Sequence, residues 1–158
     1  MIDPYLLAKW LHVLGSTVLF GTGVGTAYFM WSAHRSGDAN VIATVAGHVV
    51  RADWIFTLGA GITQPATGAW LIWTLGYDPA ESWLVVAYVL YVVALGCWIP
   101  VVRLQIRARD LAREAVANAT SLPPAYRRSM AWWFALGWPA FVALLAVFAL
   151  MIAKPALW

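Results

Sequence analysis

Long apolar runs, separated by short polar interruptions, set the pattern of this chain. Four runs reach the about 20 residues that a helix needs to cross a ~30 Å hydrocarbon layer. They are Tyr5–Trp31, Trp54–Leu75, Trp83–Val102 and Met130–Ile152. The pattern predicts an all-α, polytopic membrane protein, a single four-span helix bundle over residues 1–158. Aromatics mark the span ends at Tyr5, Trp10, Trp31, Trp54, Trp73, Tyr77, Trp83, Trp132 and Trp133. That is the belt expected of amphipathic rings at headgroup level.

The interruptions carry structure of their own. Asp38 is placed to cap a short amphipathic helix from Ala39 to about Arg51, between spans one and two. Asn40, Thr44, Gly47, His48 and Arg51 fall on one side of it, and Val41, Ile42, Val45 and Val49 on the other. It is expected to lie at the cytoplasmic interface. Span three should continue as a helix to about Asn118, with Arg107 and Arg113 each spaced to pair with Asp110. Ser121-Leu122-Pro123-Pro124 then breaks the chain.

Span two has the least ordinary interior. Gln64 and Pro65 sit at its centre, flanked by Gly61, Thr63, Thr67 and Gly68, so it is built to bury polar groups against other helices. Pro65, Pro100 and Pro139 each release a carbonyl four residues earlier, at Gly61, Gly96 and Ala135. In span one, Gly21 and Gly25 have the spacing that lets a neighbouring helix approach closely. Packing within the bundle explains them more simply than a dimer face.

Composition agrees with the pattern. The chain is 63% hydrophobic and 11% charged, against about a quarter charged in soluble domains. The mean hydropathy is +0.74. Asp3 stands where a signal peptide would carry basic residues, and the first run is long for a cleaved one, so it reads as an uncleaved span. Cys97 is the single cysteine, which excludes an intrachain disulfide and a paired-thiol metal site.

Charge placement predicts orientation. Arg103, Arg107, Arg109, Arg113, Arg127 and Arg128 lie between spans three and four, and Arg35 and Arg51 between spans one and two. The link Gly76–Glu81 has no basic residue. The positive-inside rule puts the arginine connections in the cytoplasm and both termini outside, in a bacterial inner membrane. Arg51 and Asp53 are expected to bond across the cytoplasmic rim. The juxtamembrane arginines fit topology and anionic lipid, and nucleic acid is excluded as a partner.

Candidate chemistry centres on His12, the one histidine well inside a span. At ~1.5 Å per residue it lies roughly 10 Å below the outer surface. Thr67, Gln64, Tyr88 and Tyr91 reach similar depths on spans two and three, and Lys9 shares the His12 helix face. An intramembrane histidine with such partners suits a haem or metal ligand, of iron or copper, or a proton-handling group. Alternatively, a neutral imidazole bonded to Gln64 or a tyrosine holds the helices in register. His34 and His48 belong to the opposite side of the membrane, too far for a haem shared with His12. There is no paired intramembrane carboxylate, HExxH, GxSxG or phosphate-cradling loop.

Several stretches carry a family resemblance. They are Lys9–Gly15, Arg35–Asp38, Ala52–Thr57, Gln64–Gly68, Cys97–Val102 and Leu122–Tyr126. In this order they resemble the bacterial integral membrane family of domain-of-unknown-function 2269, over essentially the whole chain. That resemblance implies a four-helix inner-membrane protein without an assigned activity. More distantly, Lys9 and His12, with His34 near the end of the span, are similar to HemJ-type protoporphyrinogen oxidases and CopD-like membrane domains. In the HemJ-type group the first-span histidine is implicated in haem binding, so the resemblance implies haem b on His12. That group also has basic or histidine residues in its third span, where this chain has neither histidine nor lysine.

Two functions follow as expectations. One is a small haem- or porphyrin-associated or redox membrane protein using His12. The other is a non-catalytic accessory or assembly subunit that meets a membrane-protein partner, or a second copy of itself, within the bilayer.

Overall fold

The computed structural model describes residues 3–158, and within them all regular structure is helical. Helix α1 spans Pro4–Ser36 and α2 spans Ala39–Ala52. A π turn, Asp53–Thr57, joins α2 directly to α3, Leu58–Leu75. Helix α4 runs over Ser82–Ala117 and α5 over Pro124–Ala153. Four helical segments are long and apolar enough to cross a membrane, with α2, the π turn and α3 counting as one.

The boundaries follow local chemistry. The Asp3 carboxylate accepts from the Tyr5 amide at 2.9 Å, and Pro4 opens α1 where no amide partner is needed. Gly37 ends α1 at φ 68°, a left-handed conformation that suits a residue without Cβ. Asp38 caps α2 through the Asn40 amide at 2.7 Å, as its position predicts. Span three does continue as a helix beyond the apolar run, ending at Ala117.

Helix α3 packs on α1, α5 packs on α4, and α2 lies against both α1 and α4. The Phe20 ring joins α1 to α5, with centroids 5.6 Å from Phe141 and 5.4 Å from Phe148. The densest core lies at the arginine end. There Met30 and Ala33 of α1, Ile42, Ala46 and Val49 of α2, Ala108 and Ala112 of α4, and Tyr126, Met130 and Trp133 of α5 interlock. Alanines at the contacts let these backbones come close.

Several details differ from the sequence pattern. Ile42, Val45 and Val49 of the apolar face of α2 pack in this core, because α4 extends far enough beyond the apolar run to cover them, while Val41 stays exposed. Trp83 and Trp133 are buried rather than belt residues. Tyr77 packs edge-on against Trp83, and the Lys154 ammonium lies over both rings, so the chain end seals this corner. Lys154 Nζ also donates to the Tyr77 hydroxyl at 2.7 Å. Gly21 and Gly25 face open space, with no atom within 4 Å of where a Cβ would stand, so internal packing does not account for them. Arg109, not Arg107 or Arg113, is the arginine bonded to Asp110, at 2.8 Å.

Candidate functional site

Helices α1 and α3 run antiparallel, which sets His12 opposite Thr67. His12 Nδ1 lies 2.8 Å from the Thr67 hydroxyl oxygen. That hydroxyl has one proton, and its nearest backbone acceptor is the Thr63 carbonyl at 2.7 Å. With the proton given to Thr63, the Thr67 oxygen can only accept from His12. The imidazole then carries a proton at Nδ1, and in its neutral form the Nε2 lone pair is uncommitted.

Gln64 forms the second link. Its Nε2 donates to the His12 backbone carbonyl at 2.8 Å, not to the imidazole. Glycines make both contacts accessible. A Cβ at Gly15 would stand 2.5 Å from Gln64 Nε2, and one at Gly68 would stand 3.3 Å from His12 Cε1. The amide therefore reaches α1, and the ring lies on α3, because these two positions have no side chain.

The remaining candidates lie apart from the imidazole. Tyr91 of α4 donates to the Gly61 carbonyl, the acceptor that Pro65 leaves free. Tyr88 is 42% exposed and makes no hydrogen bond to the His12 group. Lys9 is exposed, with Nζ 5.7 Å from the Tyr5 ring centroid. The local assembly is thus His12, Thr67 and Gln64, with Tyr91 securing the next turn of α3.

His34 and His48 occupy separate places. His34 Nδ1 lies 3.0 Å from the Tyr126 hydroxyl, in a cleft of about 740 Å³ that Leu122, Arg127 and Phe134 also line. His48 is exposed in a different groove, with Thr44, Arg51 and Arg113. No group of three or more His, Cys, Asp or Glu side chains able to hold a metal ion occurs among the described residues.

A second polar cluster was not foreshadowed by the sequence pattern. Asp53 is buried in the π turn, where its Oδ1 accepts from the Thr57 hydroxyl at 2.8 Å. The expected Arg51–Asp53 bond does not form, because the helix turns Arg51 outward to an exposed position while Asp53 faces the bundle. Gln105 and Trp98 of α4 approach the same carboxyl group. Only the four-residue spacing of Asp53 and Thr57 hinted at this cluster; Gln105 and Trp98 arrive from another helix.

Four apolar helices with polar groups turned inward define a polytopic helical membrane protein. Residues 6–155 match the family model described as "Predicted integral membrane protein (DUF2269)", and the chain belongs to that family. No curated protein matches the chain. No solved structure matches it either.

Proposed function

We propose that this chain is a small haem-associated redox protein of the bacterial inner membrane, with His12 Nε2 as the iron ligand. The observation that carries the reading is the Thr67 contact. A ligating histidine commonly donates its other ring N–H to a fixed acceptor, which sets the tautomer and orients the ring. Thr67 does this for His12, and Thr63 holds Thr67 in turn.

The donor set favours haem over a bare copper ion. An isolated ion needs several protein ligands, and the described residues offer no such cluster. A porphyrin brings four nitrogens of its own, so one imidazole is enough. When bound, the group would supply one-electron chemistry. The chain's own contribution is an imidazole held by Thr67, in a helix pair clasped by Gln64. Lys9 and the tyrosines are then peripheral to the ligand. In this reading the arginine connections face the cytoplasm and the termini the outside, which the charge distribution supports.

A second reading is favoured by Gly21 and Gly25. These small residues are open on a face that also exposes Val24, Tyr28 and Phe29. A non-catalytic subunit would use that face against a membrane-protein partner or a second copy, with His12 and Gln64 serving only to clasp helices.

The visible spectrum of the detergent-purified protein, oxidised and dithionite-reduced, separates the two. A Soret band that disappears in His12→Ala supports the haem reading. A stable, colourless wild type that takes up no added haem refutes it and leaves the subunit reading.

A further inference from the structure

Asp53 is 3% exposed, in a helix that crosses a membrane, and among the described residues no cation accompanies it. A buried carboxylate without a counter-charge is far costlier than one in water. No described element around it supplies the charge. On α2, His48 and Arg51 are exposed, and α3 has no ionisable residue. On α1, Tyr28 is exposed, and no charged residue lies between Lys9 and His34. On α4, Tyr88, Arg103, Arg107, Arg113 and Glu114 are exposed, while Arg109 is bonded to exposed Asp110; Cys97 and Tyr91 are the remaining titratable groups there.

What does face Asp53 is a set of polar groups only partly used. Thr57 donates to Oδ1. Gln105 is 2% exposed and approaches the carboxyl group, yet its Oε1 has no donor. Trp98 approaches too, and its buried Nε1–H has no acceptor. Unsatisfied buried polar atoms are rare in folded proteins, and here two belong to residues beside one acid.

Both atoms acquire a purpose if the acid changes charge. A protonated Asp53 has an O–H that needs an acceptor, and rotation of the Gln105 amide presents Oε1 as one. An ionised Asp53 needs donors. Trp98 Nε1–H is one, and Gln105 Nε2–H is another. The π turn sits at this point, and such turns in otherwise α-helical segments often mark functional sites. Exposed Arg51 lies two residues away, so the carboxyl group is close to the water at the arginine end.

We propose that Asp53 is a reversible proton-binding site inside the bundle, taking up and releasing one proton at the arginine end while the Gln105 amide turns between donor and acceptor and Trp98 donates to the ionised form alone. The step is Asp53 carboxylate plus one proton giving the carboxylic acid, with no other reactant. It is independent of His12, which lies towards the opposite end of α3.

Dicyclohexylcarbodiimide tests this on the full chain in detergent. The apolar reagent takes the proton of a protonated carboxyl group while the carboxyl oxygen bonds to its central carbon, and the adduct rearranges to a stable acylurea. Peptide mass spectrometry should find the adduct at Asp53, its yield falling about tenfold per pH unit above a midpoint. Trp98→Phe removes a donor to the ionised form alone and should move that midpoint up by about one pH unit. Arg51→Gln should leave it unchanged. The infrared difference spectrum between low and high pH should contain a carboxylic-acid C=O band that Asp53→Asn abolishes. The absence of both the pH-dependent adduct and that band overturns the proposal. So does a midpoint shift in Arg51→Gln as large as that in Trp98→Phe, which would make Asp53 the partner of a rim arginine.

Discussion

The Tyr91 hydroxyl donates to the Gly61 carbonyl, and Pro65 is the reason that carbonyl is free. A proline in a membrane helix removes a bond that lipid cannot replace, so a neighbouring helix must supply it. Tyr91→Phe should therefore lower stability by about 1 kcal/mol, measured by thermal unfolding in detergent. In a Pro65→Ala background the restored backbone N–H can satisfy Gly61, and the same tyrosine substitution should then have a much smaller effect. Equal costs in the two backgrounds would refute the coupling.

Gly15 and Gly68 face the same helix pair at different clearances. Gly15→Ala puts a methyl 2.5 Å from Gln64 Nε2 and should break the amide's bond to His12, lowering stability by about 1–2 kcal/mol. Gly68→Ala meets the His12 ring at 3.3 Å, and a small ring shift relieves it. The first substitution should be the more damaging. The reverse order of melting temperatures would contradict the clasp.

Gln64→Leu should also disturb the fold more than Arg109→Gln. Gln64 is buried and holds the His12 carbonyl, whereas Arg109 forms a surface pair with its sequence neighbour Asp110. Such surface pairs contribute about 0–1 kcal/mol. Indistinguishable unfolding of the two variants would remove Gln64 from the account of α1–α3 packing.

Thr67 should matter to His12 through hydrogen bonding rather than volume. Thr67→Val keeps the shape and removes the acceptor; Thr67→Ser keeps the hydroxyl. Nitrogen NMR of the imidazole should show Nδ1 protonation in the wild type and in Thr67→Ser, and a tautomer mixture in Thr67→Val. If haem binds, its affinity should fall about 10–100-fold in Thr67→Val alone.

At the arginine end, Ala112 has no exposed surface, while Ile152 is 82% exposed. Ala112→Leu adds three carbons to a filled contact and should cost about 1–3 kcal/mol or more. Ile152→Leu should be silent. A mild effect of Ala112→Leu would mean that the α2–α4–α5 junction is looser than its burial indicates.

Much of the architecture was legible in the residue order because a membrane asks few questions of a helix. Length, apolarity and the scarcity of charge decide whether a segment spans, and these are local properties. Asp38 and the Ser121–Pro124 break likewise act on their own neighbourhood, and they begin or separate helices where their chemistry predicts. The antiparallel order of short-linked spans also placed Thr67 and Gln64 at the depth of His12.

What one chain segment does to another was not legible. Whether Trp83 faces lipid or protein depends on Tyr77 and Lys154 folding over it. Whether α2 lies on a membrane surface or in a core depends on how far α4 extends beside it. Asp53 read as a rim acid beside Arg51, because adjacency in sequence suggests a pair. A helix turns residues two apart to different sides, and the partners of Asp53 came from its own next turn and from α4. Span two, with its amide and proline, announced buried polar chemistry. Only the tertiary structure decided that its polar groups divide between a clasp on His12 at one end and a buried acid at the other, since helix rotation and neighbour choice arise from packing over the whole bundle.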